Sequence, residues 1–211
     1  MLQLKNIEKS FGSHRIFNIP QLELAPGIYW LKGANGSGKS TMLKLLAGLL
    51  PFKGEVILSQ DISIHRHAVN YRRHINYAPA EPIYPSFLTG EELLKYVDAV
   101  KQGNAPQRET IMEQLGIDQY LQNPTGSYSS GMLKKLSLLL AFTGRPQWIL
   151  LDEPYTTLDQ SSQHALTALI KQRHTEGTSF IITSHHDIEA GELTFSGIFL
   201  LKDKELHSIN A

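Results

Sequence analysis

The feature that most limits the possible folds of this chain is the run GANGSGKST at residues 33–41. It follows a short apolar stretch at residues 28–31 and precedes apolar residues at helical spacing between Met42 and Leu50. Glycines let backbone N–H groups turn inward around phosphate oxygens, and the N-terminus of a following helix favours negative charge. The order of strand, glycine-rich loop and helix therefore predicts a P-loop in an α/β domain.

The chemistry of a P-loop assigns roles in ATP binding to individual side chains. Lys39 supplies a positive charge to the β- and γ-phosphates, and the hydroxyl of Ser40 is placed to bind Mg²⁺. A glycine-rich turn that contains Lys-Ser by chance is the alternative, but the strand and the helix both stand where a P-loop requires them. The candidate ATP-binding residues in this run are Asn35, Gly36, Ser37, Gly38, Lys39, Ser40 and Thr41.

Two acidic residues, Asp152 and Glu153, directly follow a fully apolar stretch at residues 148–151. A strand buried on both faces would carry them to the carboxyl edge of a parallel sheet, where ligands bind in open α/β folds. Asp152 would then hold Mg²⁺, and Glu153 would polarise the attacking water. An acidic turn after a buried strand is the simpler alternative, and the presence of a P-loop makes the catalytic interpretation the better one.

Buried strands alternate with helical stretches along most of the chain, which indicates an α/β core with a parallel sheet. Residues 2–7 and 21–24 alternate weakly between apolar and polar, as half-buried antiparallel strands do. The predicted fold is a P-loop NTPase core with a mostly parallel sheet, an N-terminal antiparallel β subdomain and an inserted α-helical subdomain. We expect residues 1–79 and 146–211 to form the ATP-binding core, and residues from about 80 to 145 to form the inserted helical subdomain.

Two local boundaries also follow from the pattern. The helix after the P-loop is expected to run to Leu50 and to end at Pro51. Residues 63–74 are polar and basic without a clear period, so a solvated loop is expected there. The alternative is a metal site with His65, His67 and His74 as ligands.

Tyr128, Ser129, Ser130, Gly131 and Met132 lie shortly before the acidic strand. With the motifs above, their order and spacing resemble the nucleotide-binding domain of ABC ATPases, whose signature is usually Leu-Ser-Gly-Gly-Gln. Ser129 and Gly131 match that signature, and the other three residues depart from it. The resemblance implies that Ser129 to Met132 open a helix and contact the γ-phosphate of ATP held by a second subunit. A plain helix N-cap is the alternative for Ser-Ser-Gly.

Two more motifs arrive in the order of the same family. Leu158 and Asp159 match its D-loop, which implies a position on a dimer seam, while a helix cap at Asp159 is an alternative compatible with that role. His185 resembles the switch histidine, because it follows Thr-Ser directly after a buried strand. A neutral imidazole there would donate a hydrogen bond to the γ-phosphate and help Glu153 hold the water. The adjacent His186 is the alternative candidate.

Phe11, followed by Gly12, stands where the family places the aromatic residue that stacks on adenine. Stacking of an aromatic side chain on a base stabilises binding by roughly 1–3 kcal/mol in nucleic-acid systems. A phenylalanine packed inside the small antiparallel sheet is the alternative.

One motif departs further from the family pattern. The family places a glutamine after a strand that ends in a Tyr-x-Pro-like sequence, and here Ala80 occupies that position. An alanine side chain can neither bind Mg²⁺ nor contact the attacking water. Either the neighbouring Glu81 substitutes as a metal ligand, or this contact is missing.

The composition limits the classes of partner. Lys plus Arg and Asp plus Glu number 20 each, so the formal net charge is zero and no nucleic-acid partner is expected. The chain has no cysteine, which excludes a disulfide scaffold and a cysteine-based zinc site. The longest apolar runs are far too short to cross a bilayer, so membrane contact would need a membrane-spanning partner.

The resemblance implies an Mg²⁺-dependent ATPase subunit of an ABC transporter, with an exporter favoured over an importer. It implies a homodimer or a heterodimer around two ATP molecules, and a separately encoded transmembrane permease that holds the chain at the cytoplasmic face of the membrane. The loop after Pro79 and the helix after Thr89 are the expected docking surface, because residues 82–87 carry apolar and aromatic side chains. A soluble or regulatory ABC-type ATP-binding module without coupling to transport is the alternative.

Overall fold

The computed structural model describes residues 1–184 and 193–209, apart from the side chain of Gln60. The strands in these ranges are β1 (Leu2–Phe11), β2 (His14–Leu24), β3 (Ile28–Lys32), β4 (Lys53–Leu58), β5 (Ile62–Ser63), β6 (Ile75–Ala78), β7 (Trp148–Leu151), β8 (Ser179–Thr183), β9 (Gly197–Lys202) and β10 (Glu205–Ile209). The α-helices are α1 (Lys39–Leu46), α2 (Ala68–His74), α3 (Gly90–Lys101), α4 (Ala105–Leu115), α5 (Ser130–Phe142) and α6 (Gln160–Thr175).

The strands form two sheets. The larger sheet has the order β10-β9-β3-β8-β7-β6, in which β9, β3, β8, β7 and β6 are parallel and β10 is antiparallel at one edge. The smaller sheet has the order β2-β1-β4-β5 and is antiparallel throughout. This arrangement confirms the predicted fold class, an α/β P-loop core with an antiparallel β part and additional helices.

Side chains of the central strands alternate between two apolar clusters on opposite faces of the larger sheet. In β7, Trp148 and Leu150 join the cluster formed with α1 and the antiparallel sheet. Ile149 and Leu151 join the cluster formed with α4, α5 and α6. Because both faces are covered, β7 is apolar at every position, and only the residues beyond its carboxyl end are polar.

The helix after the P-loop is shorter than predicted. It ends at Leu46 rather than Leu50, because Gly48 adopts a left-handed conformation with φ of 72°. The N–H of Gly48 donates to the carbonyl oxygen of Leu45, and the N–H of Leu49 donates to that of Lys44, both at 2.9 Å. This is the Schellman pattern of hydrogen bonds that closes many helices, and it ends α1 well before the proline.

The prediction of a loop across residues 63–74 is wrong for its second half, which forms α2. The ring of Tyr71 is fully buried and its hydroxyl donates to the carbonyl oxygen of Leu46 at 2.8 Å, so tertiary packing holds this short helix. One buried residue in two turns leaves no hydrophobic period to detect. The two histidines before α2 contact backbone: His65 Nε2 lies 3.2 Å from the carbonyl oxygen of Gly54, and His67 Nδ1 accepts from the N–H of Ser63.

Three helices connect β6 to β7. Thr89 begins α3 with a capping box, in which its hydroxyl accepts from the N–H of Glu92 and the Glu92 carboxylate accepts in return. Asn104 caps α4, and Gly116 ends it in a left-handed conformation. Apolar residues of α3, α4 and α5 join the same cluster as one face of the larger sheet. The division into a core at residues 1–79 and 146–211 and a helical subdomain between them stays a prediction.

Candidate functional site

The P-loop lies between β3 and α1, at the carboxyl edge of the larger sheet. Gly38 has φ of 108°, and a Cβ atom there would lie 2.7 Å from Ile16 Cγ2, so only glycine fits against β2. No side chain caps the N-terminus of α1, which leaves its first N–H groups directed towards the loop. A helix N-terminus with these properties suits the phosphates of a nucleotide.

The ammonium group of Lys39 lies inside the P-loop. The residue is 5% exposed, and its Nζ donates to the carbonyl oxygens of Gly33 at 2.7 Å and Ala34 at 3.1 Å. Burial lowers the pKa of Lys39, and the negative charges of Glu153 and Asp152 act in the opposite direction. The fold therefore brings the lysine of the P-loop into electrostatic range of both acidic residues, although more than 110 residues separate them in the sequence.

Asp152 lies at the carboxyl end of β7 and is 1% exposed. Its Oδ1 accepts a hydrogen bond from Thr183 Oγ1 at 2.8 Å, and its Oδ2 accepts one from the hydroxyl of Tyr77 at 3.2 Å. Each carboxylate oxygen keeps further acceptor capacity. A carboxylate and a hydroxyl are oxygen ligands of the kind that Mg²⁺ prefers, so the chemistry of Asp152 and Ser40 suits this ion, and their role as its ligands stays a prediction.

The backbone of Glu153 is held on both sides. Its N–H donates to Thr183 Oγ1 at 2.9 Å, and its carbonyl oxygen accepts from Thr156 Oγ1 at 2.7 Å. Glu153 has φ of 47°, a left-handed conformation that is uncommon for a residue with a side chain. Such strain persists only where surrounding contacts hold the backbone, and it is frequent at active sites.

The signature residues form the N-terminus of α5. Ser129 caps the helix, since its hydroxyl accepts from the N–H of Met132 at 3.2 Å, and Met132 Sδ lies 3.5 Å from the N–H of Ser129. Ser129 and Ser130 are exposed. A Cβ atom on Gly131 would lie 3.0 Å from the carbonyl oxygen of Thr157, so the small residue leaves room for the backbone just before Leu158 and Asp159. The helix cap is thus present, and it leaves the serine side chains accessible.

Asp159 lies beside the signature helix and also caps the next one. Its carboxylate lies 3.4 Å from Lys135 Nζ of α5. It also accepts from Ser161 Oγ at 2.6 Å and from the N–H of Ser162 at 2.8 Å, at the start of α6. These hydrogen bonds hold the pKa of Asp159 well below its usual range. The structure therefore places Asp159 against the signature helix and shows the helix cap, and its position on a dimer seam stays a prediction.

Phe11 ends β1, where the chain turns into β2. Its side chain is 51% exposed, so the ring does not pack inside the antiparallel sheet. Lys9 Nζ lies 4.4 Å from the ring centroid. The exposed ring of Phe11, whose backbone pairs with His14 of β2, is available to a base, and its stacking on adenine stays a prediction.

Ala80 and Glu81 follow β6, and the side chain of Glu81 is exposed. The carbonyl oxygen of Ala80 accepts a hydrogen bond from Lys134 Nζ at 2.6 Å. The role of Glu81 as a metal ligand stays a prediction. His185, the expected switch histidine, and its alternative His186 lie outside the described residues.

Two polar residues of the site were not assigned from the sequence. Thr183 is the last residue of β8, and Tyr77 lies in β6, so both strands that flank β7 supply a hydrogen bond to Asp152. Thr183 carries a signal in the sequence, as a polar residue at the end of an apolar stretch, whereas Tyr77 lies inside its strand and carries none. Neither residue can be placed beside Asp152 from the sequence, because strand order is not encoded locally.

Comparisons with known proteins identify the family of this chain. The sequence profile of the family described as ABC transporter matches residues 18–156. The chain is 31% identical to the ABC transporter ATP-binding protein YtrB of Bacillus subtilis, over 99% of this chain and 71% of that protein. It is 28% identical to the cytochrome c biogenesis ATP-binding export protein CcmA of Yersinia pestis, over 100% of this chain and 98% of that protein.

A solved structure shows the same fold. The dimeric post-hydrolysis state of the ATP-binding cassette MJ0796, bound to ADP and Pi, superposes with a TM-score of 0.84. The two chains are 21% identical, and the likeness covers 100% of each. The profile match and the identity to YtrB decide the assignment that the motifs implied. The chain belongs to the ABC transporter family, as an ATP-binding subunit that hydrolyses ATP.

Proposed function

We propose that Lys39, Asp152 and Glu153 carry the hydrolysis of ATP at the carboxyl edge of the larger sheet. The observation that carries this proposal is their convergence: Lys39 lies inside the P-loop, within electrostatic range of two buried acids that follow β7. The P-loop N–H groups and Lys39 bind the phosphates and orient the γ-phosphate. Ser40 and Asp152 would hold Mg²⁺, which neutralises charge on the phosphates when it is bound.

Glu153 is the proposed general base. Its carboxylate accepts a proton from the water that attacks the γ-phosphorus, while the bond from that phosphorus to the bridging oxygen of ADP breaks. The products are ADP and inorganic phosphate. The rigid backbone at Glu153, fixed through Thr183 and Thr156, supports this role because a base must stay within hydrogen-bond reach of the water.

A complete site also requires a second subunit in this proposal. Ser129, Ser130, Gly131 and Met132 would contact the γ-phosphate held by the P-loop of a partner ATPase chain. The exposure of both serines at a helix N-terminus supports an external ligand at this position. The ADP-bound MJ0796 cassette is a dimer, which supports the same arrangement here. Two chains, identical or related, would thus enclose two ATP molecules.

A groove between α2, β6, α3 and α5 is the proposed docking site for a transmembrane permease. Its volume is about 710 Å³, and residues from all four elements line it, together with Ala47 and Leu49 just after α1. Ile83, on the loop after β6, is 89% exposed, and Val69 of α2 is 65% exposed. Exposed apolar side chains around a concave surface are typical of an interface. We call this surface the docking groove.

The charges around the docking groove indicate the kind of segment that would bind. Arg72, Arg73 and Lys101 line it together with apolar residues. A short amphipathic segment of the permease, with an acidic residue beside its apolar face, would match both features. No helix within residues 1–184 and 193–209 is long and apolar enough to cross a membrane. In this proposal the permease holds the chain at the cytoplasmic face of the membrane.

Export is the favoured direction of transport. The CcmA relative is named an export protein, and the present chain covers almost its whole length. Binding of two ATP molecules would close the dimer and move the permease, and hydrolysis would reopen it. An ABC-type ATP-binding module that is soluble or regulatory remains the alternative function. Docking to a permease distinguishes a transporter subunit from such a module.

Site-directed crosslinking tests the docking groove, because the chain has no native cysteine. Ile83→Cys should crosslink to a polytopic membrane protein in membranes of the source organism. Ile209→Cys is the matched control, since Ile209 is an exposed isoleucine on β10, at the opposite edge of the sheet from β6. Equal labelling of both variants, or crosslinks to soluble proteins only, would favour the module without a permease.

A further inference from the structure

Lys134 lies on α5, one turn after the signature residues, and is 1% exposed. Ser137, Leu138 and Ala141, three, four and seven residues further on, are buried on the same face of the helix. Lysines are rarely buried to this degree, because the ammonium group loses its hydration. A lysine on this face therefore needs partners that replace the lost water.

These partners are backbone carbonyl oxygens from two separate segments. Lys134 Nζ donates to the carbonyl oxygens of Ala80 at 2.6 Å and Pro79 at 3.1 Å, in the loop after β6. It also donates to the carbonyl oxygen of Glu153 at 3.1 Å and lies 3.5 Å from that of Asp152, after β7. An ammonium group has three N–H donors, so one side chain can serve both segments at once.

The charge on Lys134 is supported by its surroundings. Burial lowers its pKa to about 8, while the negative charges of Asp152, Glu153 and Glu81 act in the opposite direction. Hydrogen bonds to carbonyl oxygens favour the protonated form as well. The ammonium therefore keeps all three donors near neutral pH.

We propose that Lys134 is a positioning residue for hydrolysis, which couples the loop after β6 to the backbone of Glu153. The inference rests on the proposed role of Glu153 as the base. Thr183 holds the N–H of Glu153, and Lys134 shares its carbonyl oxygen with Thr156, so the direction of the carboxylate depends on all three contacts. Ala80 has no polar side chain, and its backbone carbonyl provides the connection instead.

The connection extends to the docking groove. Pro79 lines the groove, and so does Ser137, one turn beyond Lys134 on α5. A segment that enters the groove would displace the carbonyl oxygens of Pro79 and Ala80. Lys134 transmits that displacement to Glu153, so binding of the permease would change the position of the proposed base.

Kinetics of Lys134→Met on the purified chain test the positioning role. Methionine has a similar length and no donor, so kcat should fall by at least about 10-fold. The Kd for a fluorescent ATP analogue should stay within about twofold of the parent, because Lys134 does not touch the P-loop. Lys134→Gln should recover part of kcat, since its amide can donate two N–H bonds.

Arg173→Met is the matched control. Arg173 is also a buried cation, and its Nη2 donates to the carbonyl oxygen of Gly144 at 2.6 Å, but it lies at the end of α6. The control should lower Tm and leave kcat unchanged. An unchanged kcat in Lys134→Met, an equal loss in Arg173→Met, or no recovery in Lys134→Gln would overturn the proposal. If Lys134→Met does not fold, an unchanged kcat in Lys134→Gln overturns it.

A double-mutant cycle tests the coupling itself. Ala80→Gly loosens the loop and should lower kcat in the parent chain, but it should have little further effect in Lys134→Gln. Independent, multiplicative losses would show that Lys134 does not connect the two segments. Glu153→Gln, measured alongside, tests the role of the base separately, so a failure of that assignment is distinguishable from a failure of the coupling.

Discussion

The hydroxyl of Thr183 donates to Asp152 Oδ1 at 2.8 Å and accepts from the N–H of Glu153 at 2.9 Å. One hydroxyl at the end of β8 therefore orients both acidic residues of the site. Thr183 is fully buried, so no solvent competes for these bonds. The carboxylate of Asp152 and the backbone of Glu153 are therefore held relative to each other.

Thr183→Val removes the hydrogen bonds to Asp152 and Glu153 but keeps the packing of the strand, because valine has nearly the same shape as threonine and no hydroxyl. We expect kcat to fall by about 10- to 100-fold, with a higher concentration of Mg²⁺ needed for half-maximal hydrolysis. Steady-state hydrolysis at several Mg²⁺ concentrations measures both effects. Thr178→Val, a buried threonine just before the other end of β8, is the control, and equal losses in the two variants would contradict the role of Thr183.

The two roles of Ser129, helix cap and ligand of the partner's phosphate, can be separated by Ser129→Asp. Aspartate caps helices about as well as serine, so the free energy of unfolding should change by less than about 0.5 kcal/mol. A negative charge against the γ-phosphate of the partner's ATP should lower hydrolysis by at least about 100-fold. Thermal unfolding and ATPase assays measure the two quantities.

Asn104→Asp provides the matched control for this prediction. Asn104 caps α4 through the same kind of hydrogen bond, far from the signature, so its replacement should affect neither quantity. Hydrolysis at the parental rate in Ser129→Asp would show that the signature does not contact nucleotide.

Phe11→Ala tests the stacking of an aromatic ring on adenine. A loss of about 1–3 kcal/mol corresponds to a roughly 5- to 150-fold weaker affinity for ATP. Binding of tripolyphosphate, which lacks a base, should be unchanged, and Phe11→Trp should retain the affinity for ATP. Competition against a fluorescent nucleotide measures all three. An equal loss for ATP and tripolyphosphate would contradict stacking.

The parts of the site that could be predicted from the sequence are those whose residues are contiguous. Residues 33–41 contain both the glycines and the lysine of the P-loop, and the acids of β7 follow its apolar residues directly. In both places a single contiguous segment determines the local structure and also contains the reactive side chains. The fold class followed from the same pattern of strands and helices.

The remaining parts depend on strand order and tertiary packing. Tyr77 and Asp152 are 75 residues apart, and nothing in the sequence places β6 beside β7. Lys134 looks like half of an exposed Lys-Lys pair, and only its three- and four-residue spacing to Ser137 and Leu138 marks it as buried. The end of α1 differs, because the sequence does contain the residue that ends the helix. Gly48 closes α1, whereas the predicted end rested on Pro51.

In the proposed function, ATP is bound between the P-loop of one chain and the signature of another. Glu153→Gln keeps the shape of the side chain but removes the base, so it should bind ATP without hydrolysing it. The nucleotide should then hold two subunits together. The same substitution combined with Ser129→Asp should bind ATP and remain monomeric, since the partner's contact with phosphate is lost.

Sedimentation of purified Glu153→Gln with and without ATP and Mg²⁺ measures this nucleotide-dependent association of two subunits most directly. We expect a species of twice the monomer mass that forms only with nucleotide, and no release of inorganic phosphate. A monomer at saturating ATP would contradict the pairing of two identical chains, and hydrolysis at the parental rate would contradict the role of Glu153 as the base.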